Sequence, residues 1–379
     1  MKSLRDIIES SPRMREVVRQ GLPPQTPVAL GEPRWDWSEV TRVLLIRLRS
    51  IGDTVLTTPS IIALRRFLPH ARIDLLLEDW VAPVLDGFEH VNNVLTLRRG
   101  STNSRIHAAR KIRATAYDVV YNLHGGTTAT LLTRATGARH RVGFAHYQYA
   151  RLHNHLAPSP LLLWGVAKAH SVEQQLALLG WTGVPVSDKP RTELSVTPVA
   201  KASVSKKLEA AGVSAQTKFA LIHPAAAFDT KQWAVEKFAR VAEELHSRGL
   251  ATVALSTPKE ENLLEELRKE STVPVAGLSD LNLPEVTAIA SRARIFVGND
   301  SGIAHIAAAV GAPSVVIFGS SNMAHWRPWS TAPSQVVLEE MECLPCHGYF
   351  CAKFAQPECI LRVPVQRVIA AIDQVMLDS

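Results

Sequence analysis

Residues 43–78, VLLIRLRSIGDTVLTTPSIIALRRFLPHARIDLLLE, change their apolar period twice. VLLI (43–46) is a continuous apolar run of strand length. PSIIALRRFL (59–68) places Ile61, Leu64 and Leu68 on one helical face, and RIDLLL (72–77) is a continuous run again. Strands apolar at almost every position, alternating with helices, are what a parallel sheet covered on both faces requires. YDVVYNL (117–123) adds a further strand to this first α/β unit.

The alternation returns in the second half. FALIH (219–223), ATVALS (251–256), RIFVGN (294–299) and SVVIF (314–318) read as strands, and AVEKFARVAEELHSRG (234–249) as a helix with Val235, Phe238, Ala242 and Leu245 inward. Between the halves, TGVPVSDKPRTELSVTP (182–198) has three prolines and little periodicity, so the boundary is expected there. A chain of 379 residues also exceeds what one hydrophobic core usually holds. The expected layout is an extension and linker over 1–40, α/β units over 41–184 and 190–361 with a ligand cleft between them, and a C-terminal helix over 362–379. Within the extension, Leu4, Ile7, Ile8, Met14, Val17 and Val18 recur at helical spacing, and GLPPQTPVALGEP (21–33) reads as a linker. That helix either docks on the body or touches a membrane surface.

With 46% hydrophobic, 6% aromatic and 20% charged residues, the chain falls among ordinary globular proteins and outside disordered or fibrous ones. Forty-two Lys and Arg against 35 Asp and Glu give a net charge of +7, which favours anionic partners without choosing among them. The charged N-terminus, MKSLRDIIESSPRMREVV, lacks the apolar core of a secretory signal. The uncharged stretch 302–326 is broken by Gly311, Pro313 and GSSN, so no membrane span is expected. With all four cysteines in one short segment, a cytoplasmic location is the simplest expectation, with peripheral contact at the inner membrane face.

In open parallel sheets, ligands bind beyond the carboxyl ends of the strands, so the loops after VLLI, FALIH and RIFVGN are the places for chemistry. In RLRSIGD (47–53), Gly52 permits a sharp turn and Asp53 stands at the start of a helix. An aspartate there caps a helix or acts on a ligand, and spacing leaves both open. DSGIAH (300–305) opens a second helix with Asp300, Ser301 and Gly302, an arrangement suited to a phosphate or to simple capping. His305 follows one turn in, as a ligand contact or a satisfied core histidine. PAAAFDTKQW (224–233) carries Lys231, which is either solvated or set to neutralise a diphosphate. Neither GxxxxGK[ST] nor GxGxxG is present.

These segments, together with YDVVYNLHGG, RVGF (141–144), HPAAAFDTKQWAVEKFARVA, FVGNDSGIAHIAAAVGAPSVVIFGSSNMAHWRPW and CLPCHGYFC, resemble the bacterial lipopolysaccharide heptosyltransferases from about Val43 onward. The resemblance implies a GT-B architecture, with two facing doubly wound domains of Rossmann-like type and the C-terminal helix crossing back onto the first. It implies an inverting transfer of a heptose from ADP-heptose to the inner core of lipopolysaccharide. Asp53 is then the general base, and Lys231, Asp300, Ser301 and Gly302 hold the diphosphate with support from His305. Glu261 reaches the ribose and Leu281 lies against adenine, while Arg47, Arg49, Gly52, His124 and Arg141 are expected on the acceptor side. No metal is required for such a step, although a Mg²⁺ aiding the diphosphate stays open. Ala225, Ala226 and Ala227 depart from the pattern where relatives often place glycine and a hydroxyl residue.

RRGSTNSRIHAARKIR (98–113) has six basic residues and no acidic one, which fits a solvated helix face or attraction of an anionic acceptor at a membrane surface. RHRVGFAHYQYARLHNH (139–155) interleaves His140, His146, His153 and His155 with Phe144, Tyr147 and Tyr149, without a standard zinc spacing. No nucleic-acid motif accompanies it. Cys343, Cys346, Cys351 and Cys359 are spaced for a structural zinc or two local disulfides, with zinc the less favoured state. A monomer is expected. The alternatives to this function are another donor sugar or glycan acceptor within the family, a nucleotide-sugar epimerase, for which no further acid or base is found, and a non-catalytic nucleotide-sugar-binding protein.

Overall fold

A computed structural model describes residues 28–346 and 350–378. The helix expected over Leu4–Val18 lies outside them. The first sheet is built from β1 (Arg42–Ile46), β2 (Arg72–Glu78), β3 (Asn93–Leu97), β4 (Val119–Asn122), β5 (His140–Phe144) and β6 (His155–Ala157), all parallel, in the order β3-β2-β1-β4-β5-β6. The second contains β7 (Phe219–His223), β8 (Ala251–Leu255), β9 (Val275–Leu278), β10 (Ile295–Asn299), β11 (Ser314–Phe318) and β12 (Ser334–Leu338), in the order β12-β11-β10-β7-β8-β9. Both follow the same doubly wound winding, whose strand order reverses between β1 and β4 in one sheet and between β7 and β10 in the other. These two switch points are where such sheets open a crevice for a ligand.

Residue alternation decides which face of each strand meets which layer. In β1, Leu44 and Ile46 join an outer core with Ala108 and Ile112 of the helix Thr102–Ala114, whereas Val43 and Leu45 face a central core. In β7, Ala220 and Ile222 face an outer core and Phe219 and Leu221 the central one. The central core therefore contains residues from both sheets, with Ala304 and Ile306 of the helix Gly302–Ala309 beside Val55 and Leu56.

Two parts of the layout differ from expectation. The C-terminal helix Val365–Leu377, expected to cross back onto the first unit, buries Val368, Ile372 and Val375 in the outer core of the second sheet, against β11, β12 and the helix Val235–Ser247. Its apolar face matches that layer, which would otherwise leave Ile222, Val315 and Ile317 uncovered. The end of the expected linker is also docked. Val28 exchanges hydrogen bonds with Val186 and Ser187, the Leu30 N–H donates to Gly180 O at 3.1 Å, and the Trp37 indole donates to Thr182 O at 3.0 Å. Residues 181–197, where the boundary is expected, hold no helix or strand.

Candidate active site

The loop from β1 ends on the short helix Ile51–Val55, with Ser50 at its N-cap and Asp53 three residues in. The Asp53 Oδ2 atom accepts from the Ser50 N–H at 2.9 Å and from its hydroxyl at 3.0 Å, while Oδ1 accepts from the Arg47 guanidinium. Arg47 also donates to Leu123 O, tying this loop to the one that follows β4. The Asp53 side chain is 19% exposed. Burial pushes its pKa up, but the adjacent Arg47 charge and the Ser50 donors outweigh burial and hold the carboxyl below the ordinary carboxylate range. Asp53 is thus an ionised group that closes a capping box at the start of this helix and pairs with Arg47.

After β4, the Asn122 side chain accepts from the His124 and Gly125 N–H groups at 3.1 and 2.9 Å, which fixes the turn. Burial, reinforced by Arg47, lowers the His124 pKa to about 4, so the ring is neutral near pH 7. His124 lines two cavities. One, of about 240 Å³, includes Arg47, Tyr147, Gln174, Gln175, His325 and Trp326. The other, of about 390 Å³, extends toward Arg49, Arg99 and Arg105.

Across the cleft, β10 ends at buried Asn299, and buried Asp300 follows it. The Asn299 amide holds Pro224 O and accepts from the Trp233 N–H, locking the β7 loop to the β10 loop at 2.8 and 3.1 Å. The Asp300 Oδ2 atom accepts from the Lys231 ammonium at 2.8 Å and from the Ser321 hydroxyl. The Ser301 hydroxyl caps the helix Gly302–Ala309 by accepting from the Ala304 N–H. Lys231, Asp300, Ser301 and the helix N-terminus therefore form one cluster of donors and charge.

The two halves touch at their glycines. A Cβ on Gly52 would stand 2.6 Å from the His305 ring, and one on Gly302 would stand 2.9 Å from Ile51. Both helix starts approach this closely because neither carries a side chain there. His305 is 5% exposed, its Nδ1 has no hydrogen-bond partner, and burial lowers its pKa against the pull of Asp300 and Asp53.

Beyond β8, Glu261 accepts from the Ser279 hydroxyl at 3.3 Å, while Leu281, beyond β9, is partly buried against the central core. The neighbouring Glu260 is committed to capping Thr257, which leaves Glu261 facing solvent. Arg141 does not join the site. It lies at the amino end of β5, opposite Val120, and its guanidinium donates to Ala138 O and Leu152 O at the end of the sheet away from the crevice. Cys343, Cys346 and Cys351 are half-buried free thiols, and burial pushes the Cys359 thiol up to about 11. Among the described residues, no group of three or more His, Cys, Asp or Glu is placed to hold a metal, and no helix is long and apolar enough to cross a membrane. Sequence reading missed Ser321, Gln174 and His325, whereas Tyr147 stands in the segment that interleaves histidines with aromatics. The GSSN segment containing Ser321 signalled only a break in an apolar stretch, and Gln174 and His325 are brought in by tertiary packing.

Two facing doubly wound domains with opposed polar loops at their switch points make a GT-B fold. The sequence pattern of glycosyltransferase family 9 (heptosyltransferase) matches residues 105–354. Lipopolysaccharide heptosyltransferase 3 of Escherichia coli is 30% identical over 348 residues, covering 88% of this chain and 98% of its own length. The chain belongs to glycosyltransferase family 9 and is an enzyme of that class. Its fold is similar to that of the glycosyl transferase family 9 protein from Veillonella parvula (TM-score 0.76, 20% identity, covering 94% of this chain and 100% of that one). It is also similar to that of E. coli ADP-heptose lps heptosyltransferase II (TM-score 0.73, 20% identity, 89% and 99% covered).

Proposed function

We propose that this enzyme transfers a heptose, with inversion, from ADP-heptose to an inner-core lipopolysaccharide acceptor at the cytoplasmic membrane face, with Asp53 as general base. The observation that carries this reading is the close approach of the Asp53 loop to the Gly302 helix through Gly52 and His305. It sets a carboxylate from one domain opposite an anion-suited helix start from the other.

In the proposed step, the acceptor oxygen bonds to the anomeric carbon as the bond to the diphosphate oxygen breaks. The hydroxyl proton passes to Asp53 and ADP departs. Because the Asp53 pKa is depressed, the carboxylate is a weak base, so proton transfer is concerted with bond formation rather than preceding it. Lys231, Ser301 and the N–H groups at Gly302 meet the charge growing on the leaving diphosphate. The Lys231–Asp300 ion pair keeps that ammonium in place, and Ser321 contributes a hydroxyl beside a loop that has alanine at 225–227. Glu261 and Leu281 serve the ribose and adenine, and Arg47 with His124 lines the acceptor side.

The test is turnover of ADP-heptose by the full chain with a heptose-accepting core oligosaccharide. ADP release coupled to an inverted glycosidic linkage is expected, and absence of both stabilisation and turnover by ADP-heptose would refute the donor. The alanines at 225–227 favour one second reading, a different nucleotide sugar. A thermal-shift screen across nucleotide sugars separates the two.

A further inference from the structure

The cavity of about 390 Å³ beside the candidate active site is lined by Arg49, Arg99, Arg105, Glu78 and His124, with Gly126, Thr127 and Thr128 at one wall. Other arginines near the first sheet are engaged: Arg47 with Asp53, Arg66 with Asp188, Arg72 with Asp74 and Arg98 with Asp79. Among the described residues, the Arg49, Arg99 and Arg105 guanidiniums have no ion pair or hydrogen bond. Arg49 comes from the β1 loop, Arg99 from the turn after β3 and Arg105 from the basic helix Thr102–Ala114, so the fold gathers them into one cavity.

From this juxtaposition we propose that the cavity is an acceptor subsite for a phosphomonoester carried on the glycan near the reacting sugar. The inference rests on the transferase reading above. Glu78 is buried and accepts from the Trp80 indole at 2.8 Å. One carboxylate against three guanidiniums leaves two positive charges, the complement of a phosphomonoester, whose charge at pH 7 is about −1.5 to −2. A carboxylate or a lipid phosphodiester, with one charge, would leave the cavity half neutralised. Guanidiniums match phosphate oxygens with paired donors. The helix Thr127–Ala135 adds a first turn that Gly126 leaves without a side-chain cap. His124 also borders the cavity that contains Arg47, so an acceptor anchored by its phosphate extends toward Asp53 past an uncharged ring.

The experiment compares a deacylated acceptor oligosaccharide bearing one phosphomonoester with the same oligosaccharide after phosphatase treatment. Binding is measured by calorimetry and transfer by KM and kcat. The wild-type protein is expected to bind the phosphorylated form about tenfold to a hundredfold more tightly, as expected for charge-assisted bidentate contacts. The difference should appear in KM rather than kcat, and millimolar inorganic phosphate should compete. Arg99→Gln combined with Arg105→Gln should bind both forms equally, with thermal unfolding confirming that the variant folds. Arg99→Lys with Arg105→Lys should retain part of the preference.

Equal affinity of the wild-type protein for both acceptors overturns the proposal, as does a double Gln variant that still discriminates. Arginine-dependent flotation on phosphatidylglycerol vesicles without any effect of the glycan phosphate also overturns it, in favour of a lipid headgroup. Because acceptor binding is measured without donor, failure of ADP-heptose to turn over sinks the functional reading separately from the subsite.

Discussion

The Asp53 carboxylate whose Oδ2 accepts from Ser50 is the same group that would take a proton from the acceptor, so capping and catalysis share one side chain. The two roles are separable by substitution. Asp53→Asn keeps an oxygen for the Ser50 N–H and loses the base; Asp53→Ala loses both and strands the Arg47 guanidinium, whose Nε is already buried without a partner. Asp53→Asn is expected to lower kcat by about 10²–10⁴ with ADP affinity retained. Asp53→Ala should show the same loss and an additional destabilisation of ~1 kcal/mol or more. Steady-state kinetics, ADP binding and denaturant unfolding on the two variants check this, and normal turnover by Asp53→Asn would refute the assignment. The pH profile follows from the same environment. The Asp53 pKa is below the ordinary range and His124 titrates at about 4, so both keep their working states from neutrality down to about pH 5. An acid limb of kcat/KM near pH 6.5 would mean that another group is the base.

Where two elements meet, the decisive features are small. The helix starts at Ile51 and Gly302 approach through glycines, and Gly52→Ala would drive a methyl group into the buried His305 ring. That change is expected to cost about 1–3 kcal/mol by overpacking and to impair turnover by parting the domains, as read by unfolding and kinetics. His170 shows a second junction. Its Nδ1 accepts from the Val172 N–H at the start of the helix Ser171–Gly180, its Nε2 donates to Arg327 O at 2.8 Å, and it stacks on Trp329. This arrangement needs the neutral tautomer, and burial lowers the pKa to about 3. The unfolded chain, with its histidines near pKa 6.5, binds more protons than the folded one below neutrality. Stability held above pH 6.5 should therefore fall as pH drops from about 6.5 toward 3, and His170→Gln should flatten that dependence in denaturant titrations. Much at this scale was legible in sequence: VLLI, FALIH and RIFVGN are strands because they are apolar at nearly every position. The edge strands Asn93–Leu97 and Ser334–Leu338 were not, since half-exposed positions dilute their apolar pattern. The placement of Arg141 and of the C-terminal helix was also hidden, because neither the end of the sheet a guanidinium reaches nor the layer a helix covers is written in local periodicity.

At the scale of the molecule, the arrangement of cores sets how the domains unfold. Each sheet has its own outer core, but one central core takes Val43, Leu45, Leu75 and Tyr121 from the first sheet and Phe219, Leu221, Val253 and Phe318 from the second. The connecting chain reinforces that continuity: the Glu193 N–H donates to the Thr58 hydroxyl at 3.1 Å on one side, and Thr192 donates to Trp329 O at 3.1 Å from its N–H and 2.6 Å from its hydroxyl on the other. Separating the domains would expose part of this apolar interior as well as breaking polar contacts, so neither half retains its full core without the other. Two-domain chains often unfold in steps, yet this continuity leads us to expect a single calorimetric transition whose van't Hoff and calorimetric enthalpies agree. ADP, which on the proposed function binds only the folded chain, should raise that transition as one peak, by an increment growing with ligand concentration as RT ln(1 + [L]/Kd). A scan with two separated transitions, only the later one moving with ADP, would show that the central core does not couple the halves.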